Sequence, residues 1–129
     1  MEIRYINTDL EIESKEDLTP IIEAFGENAF VLHHGPIEGL NHASFELSDD
    51  DSSDPDGVVN RYCDLVEKLP TTARKIWDSC ATRIIDIGVE SGSSPHNYRF
   101  EVQHRTISRV SGIGASLVVT VYAMQVEEN

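Results

Sequence analysis

Basic side chains are scarce in this chain: 10 Lys and Arg stand against 23 Asp and Glu, a net charge of −13. That exceeds the magnitude of about 2–8 that suits a small domain. Phosphates would meet a negative field, which argues against direct binding to nucleic acid or to an anionic membrane. Long apolar runs are missing as well. The longest, near "ASLVVTVYAM", falls short of the ~20 residues a spanning helix needs. The opening "MEIRYINTDLEIES" lacks a basic start followed by an apolar block, so no signal peptide is expected and a cytoplasmic setting is. Only two cysteines occur, Cys63 and Cys80, without CxxC spacing and inside apolar-periodic segments, where cysteine behaves as a small buried hydrophobe.

What is present is the patterning of one α+β domain spanning residues 1–129. Ile6, Thr8, Leu10 and Ile12 alternate with Asn7, Asp9, Glu11 and Glu13, the period of a half-buried strand with an acidic outer side. Ser14 with Asp17 resembles a capping box ahead of a helix through Leu18, Ile21, Ile22 and Phe25, closed by Gly26. "NAFVLHHGPIEGLNHASFELS" reads as a hairpin turning at "GPIEG", with Ala43, Phe45 and Leu47 inward. Val58, Val59, Tyr62, Leu65, Val66 and Leu69 form the stripe of a helix that Pro70 ends, and Ala73, Ile76, Trp77 and Cys80 mark the next.

"TRIIDIGVES" is apolar on both sides and suits an interior strand, and "YRFEVQ" alternates cleanly enough to predict a further strand. A short helix around Ile107 and Val110 and a final strand "SLVVTVYAM" complete the chain. The expected architecture is a two-layer sandwich, a mostly antiparallel sheet of about six strands with helices on one face. Its other face would stay polar and open, presenting Asp9, Glu11 and Glu13 with His42, Ser44 and Glu46. "LEIESKEDLTPIIEAFGENAFVLH" and "FEVQHRTISRVSGIGASLVVTVY" share a strand, helix, glycine, strand layout, which suggests two related halves.

No reaction is legible. "SDDDSSDPDG" fails as an EF-hand loop, because with Gly57 sixth the twelfth position is Cys63 where a glutamate belongs. Asp54-Pro55-Asp56 reads instead as N-cap, first-position proline and first-turn acid. His33 and His34 are adjacent on a strand and point to opposite faces, so at most one joins His42; no metal spacing is present. "GVESG" has glutamate where a nucleophile elbow needs serine, and "GIGAS" is no phosphate loop. No catalytic residue, metal or cofactor is therefore expected.

The strongest signal is where the charge lies. Residues 1–60 hold 15 acids and 2 bases, while residues 61–129 hold 8 of each. One-sided charge of this kind speeds encounter with a basic partner. The partner-binding residues expected from it are Asp9, Glu11, Glu13, Glu46, Asp49, Asp50 and Asp51. In this one-sided acidity the chain resembles the small immunity proteins with which bacteria neutralise toxins, many of them basic nucleases. "RIIDIGVESG" and "GASLVVTVYAM" are similar to the closing strands of uncharacterised bacterial domains in that setting. The resemblance implies a non-catalytic inhibitor that occludes the active site of a basic toxin, without nucleic-acid or membrane contact of its own. The alternatives are a divalent-metal-dependent hydrolase using the Asp-rich loop, and a structural subunit of a larger assembly. The latter would need an exposed apolar patch, which the polar outer strand faces do not suggest.

Overall fold

A computed structural model describes residues 1–48 and 54–124. Its order is β1 (Arg4–Ser14), α1 (Thr19–Phe25), a 3-10 turn (Gly26–Asn28), β2 (Ala29–Ile37), β3 (Leu40–Leu47), α2 (Pro55–Glu67), α3 (Thr71–Ser79), β4 (Thr82–Glu90), α4 (His104–Gly112) and β5 (Ser116–Tyr122). The five strands lie in the order β2-β3-β1-β4-β5. Every neighbouring pair is antiparallel except β4 and β5, which are parallel. Because β3 is antiparallel to both β1 and β2, those two strands run the same way. The sheet thus holds two strand-helix-strand crossovers, β1-α1-β2 with β3 inserted and β4-α4-β5 without an insertion.

Alternation along β1 decides the layering. Thr8, Leu10, Ile12 and Ser14 are buried, and with Ala43, Phe45, Leu47, Ile85, Ile87 and Val89 they form the floor of the core. Ile21, Phe25, Val58, Val59, Tyr62, Val66, Ala73, Trp77 and Val110 close it from the helix side. Each large side chain taken fully from water contributes about 1.5–3 kcal/mol. Polar tips inside the core are satisfied. The Tyr62 hydroxyl donates to the Thr8 carbonyl at 2.8 Å, and Trp77 Nε1 donates to the Ile113 carbonyl at 2.8 Å.

The ends of the elements follow local chemistry. Asp54 caps α2, its carboxylate accepting from the Asp56 amide at 3.2 Å, with Pro55 in the first turn. The β2–β3 turn is only Glu38-Gly39, at φ 50° and 88°, two left-handed residues as a tight hairpin requires. The expected turn at "GPIEG" is therefore too long: Gly35, Pro36 and Ile37 still belong to β2. The capping box at Ser14 is also corrected. Ser14 ends β1 and accepts from the Glu16 amide, while Asp17 accepts from the amide and hydroxyl of Thr19 in the turn before α1.

Among the described residues the sheet has five strands, not six, because Tyr98–Val102 pairs with none of them. Tyr98, Phe100 and Val102 pack instead against the core as an extended connection to α4. The Asp56 carboxylate anchors the end of that connection by accepting from the Gln103 amide at 2.9 Å. The second of the two similar stretches consequently lacks its first strand. Cys63 and Cys80 are both free and buried.

Candidate functional site

The helices leave one face of the sheet uncovered, and the strand register assigns its residues. From β1 come Asp9, Glu11 and Glu13; from β3, His42, Ser44 and Glu46; from β4, Thr82, Ile84, Asp86 and Glu90. Four of the expected partner-binding residues, Asp9, Glu11, Glu13 and Glu46, are thus brought to one surface. Asp49, Asp50 and Asp51 lie outside the described residues. Sequence reasoning missed Asp86 and Glu90, which sit in the charge-balanced half of the chain and join the face only through pairing of β4 with β1.

One row crosses all five strands: Phe30, Glu46, Asp9, Asp86 and Val118 are successive register partners. Three carboxylates therefore stand side by side on adjacent strands about 4.8 Å apart, with an apolar residue at either end. Like charges directly opposite each other destabilise a sheet. The cost is visible at Asp9, whose pKa is pushed up to about 6 by burial first, then by Glu46, Asp86 and Glu11. Its Oδ1 is enclosed with no hydrogen-bond partner among the described residues. Asp9 also borders a groove of about 290 Å³ lined with Ile6, Asn7, Glu90, Tyr122 and Ala123.

The neighbouring side chains hold these carboxylates outward without neutralising them. Thr120 Oγ1 donates to Asp86 Oδ1 at 2.7 Å, and Thr82 Oγ1 donates to Glu13 Oε1 at 2.9 Å. Among the described residues, no ion pair involves Asp9, Glu11, Glu13, Glu46 or Asp86. Arg4 pairs with Glu90 at 3.4 Å, at the end of the face. Two arginines of the later half are engaged elsewhere: Arg109 joins α4 to Asp64 and Glu67 of α2, and Arg83 donates to the carbonyls of Trp77, Asp78, Cys80 and Gly114.

His33, not His34, shares the open face with His42, and their Nδ1 atoms are 2.9 Å apart. That contact is one hydrogen bond between two exposed rings. Among the described residues no group of three or more His, Cys, Asp or Glu is arranged to hold a metal ion. Burial pushes the Cys63 and Cys80 thiols up to about 11, so neither is a nucleophile at neutral pH.

The edges depart from the expectation of polar outer faces. Phe30, Val31 and Leu32 on β2, and Val118, Val119, Val121 and Tyr122 on β5, are exposed. Among the described residues no helix is long and apolar enough to cross a membrane. Comparison with protein-family models, with curated proteins and with solved structures finds no match.

Proposed function

We propose that the chain is a non-catalytic acidic binding protein that neutralises a basic toxin, a nuclease domain being the best fit in charge, by laying its open sheet face over the toxin's active site. The observation that carries this reading is the row Glu46–Asp9–Asp86. A sheet selected for stability alone would not align like charges on three adjacent strands, and a break with local rules that lacks compensation inside the fold points to a requirement outside it. A nuclease cleft lined with Arg and Lys to hold phosphate supplies the compensation. Glu11 and Glu13 extend the same negative field along β1 and would guide the approach.

The test compares the wild-type chain with a triple charge reversal, Glu11→Lys, Glu13→Lys and Glu46→Lys, as baits in lysate of the native cell. A basic protein is expected on the wild type, released by salt, absent from the variant, and stoichiometrically inhibited by the wild-type chain in its own activity. The reading is overturned if both baits retain the same proteins, or if the captured protein is not inhibited.

A further inference from the structure

We propose that β5 is the contact through which two copies of this chain join, edge to edge, into one continuous sheet. β5 is an outer strand running Ser116–Tyr122, "SLVVTVY", with no charged residue, proline or glycine. Its register with β4 is unbroken from Ile84 opposite Ser116 to Glu90 opposite Tyr122. Natural sheets blunt exposed edges with charges, prolines or bulges, since an open edge is a template for another strand. The opposite edge is blunted in this way: β2 carries a register shift between Val31 and His33, and Pro36 removes a donor. Of the two outer strands among the described residues, β5 is the one with unbroken register and no proline.

The parity of the strand makes it complementary to itself. The Tyr122 carbonyl points to β4, accepting from the Ser91 amide at 2.9 Å. By the two-residue period, Ser116, Val118 and Thr120 also turn their backbone groups toward β4, and Leu117, Val119 and Val121 turn theirs outward. An antiparallel copy centred on Val119 sets Val119 opposite its own counterpart and Leu117 opposite Val121. Every outward amide and carbonyl of those residues then has a partner. The same pairing covers Val119, 50% exposed, and Val121, 63% exposed.

The absence of charge along β5 lets a second copy approach there with the least repulsion. Of the 23 acids, 15 lie in residues 1–60, and residues 61–129, which supply β4 and β5, carry equal numbers of acids and bases. Two chains of net −13 therefore meet along an uncharged strand. The two-fold axis is perpendicular to the sheet, so both acidic faces lie on the same side. Asp9 and its counterpart are then separated by five strand spacings of about 4.8 Å, roughly 24 Å. A contact of this kind lies at the small end of specific interfaces, about 1,000 Å², and corresponds to a reversible dimer.

The purified full chain is examined alone by sedimentation velocity from low to high micromolar concentration. The wild type is expected to pass from a 14.4 kDa species to twice that mass. Val119→Lys, at a half-exposed site outside the core, should keep its far-UV circular dichroism and weaken association more than tenfold. In a Val119→Cys chain the two-fold places Cα atoms about 5.5 Å apart, within disulfide reach, so mild oxidation should link two copies. A wild type that stays monomeric throughout overturns the proposal, as does self-association that survives Val119→Lys or yields instead to Val31→Lys on β2. Val121→Cys linking as readily as Val119→Cys overturns the register. No toxin enters these measurements, so their failure leaves the inhibitor reading untouched.

Discussion

Asp9 and Asp86 face each other across the central strands β1 and β4, on the side of the sheet that no helix covers. Asp86 has a hydroxyl partner in Thr120, while the enclosed Oδ1 of Asp9 has none among the described residues. Burial first, and then the charges of Glu46, Asp86 and Glu11, make Asp9 resist ionisation.

Asp9 therefore links stability to pH. Its pKa rises from 3.8 in the unfolded chain to about 6 in the folded one, so between those values the folded state binds more protons. Stability contributed here is highest at low pH, falls as pH rises through that window, and stays low above it. Asp9→Asn should stabilise the chain near neutral pH by about 1 kcal/mol, after allowance for solvent screening of a half-buried group, and give no gain near pH 4. Urea unfolding at the two pH values checks this; an equal gain at both would remove Asp9 as the cause.

Arg109 and Arg83 should separate by salt. Arg109 reaches Asp64 at 2.6 Å and Glu67 at 2.7 Å, but both carboxylates are about half exposed and Arg109 about one-third. Arg109→Ala is expected to cost less than about 1 kcal/mol and to lose that effect near 1 M salt. Arg83 donates to Trp77 and Cys80 carbonyls at 3.0 Å at the end of α3, and to Gly114 at 2.7 Å beyond α4, adding to the Cys80 amide that also meets the Trp77 carbonyl. Arg83→Ala should cost about 2 kcal/mol with little salt dependence. Thermal unfolding of both variants in low and high salt decides the matter.

Gly92 allows the chain start to approach. A Cβ there would lie 2.5 Å from the Met1 carbonyl oxygen and 2.8 Å from the Ile3 amide nitrogen, atoms of backbone that cannot swing aside. Gly92→Ala is expected to cost about 1–3 kcal/mol. It should also release the Ile3 amide, which donates to the Ser94 carbonyl at 2.7 Å, and so speed its hydrogen exchange relative to the amides of β1. Unchanged exchange at Ile3 would contradict the close approach.

Much of the fold was legible because it rests on local period. The two-residue alternation of β1 from Thr8 onward and of β3 predicted which side chains meet water, and the stripe from Val58 to Val66 predicted the buried side of α2. Ile6, expected inward, is instead exposed, because the register shifts between Tyr5 and Asn7. The Asp54-Pro55-Asp56 start of α2 was legible for the same reason: a cap is chemistry between near neighbours. "YRFEVQ" misled because alternation reports only that one side is buried. Whether another strand lies alongside is decided by parts of the chain far away in sequence, and here the Asp56 carboxylate and the core hold the segment instead.

The sequence by itself determined the composition of the acidic face: alternation places Asp9, Glu11 and Glu13 on one side of a strand whatever that strand pairs with. Only the tertiary structure decided that Glu46 and Asp86 flank Asp9, that Arg83 and Arg109 are occupied elsewhere, and that β5 is an outer strand of the sheet. Neighbours across a sheet are set by strand order and register, and these minimise the free energy of the whole core. A pattern confined to one segment carries the direction of each side chain but not the identity of what it meets.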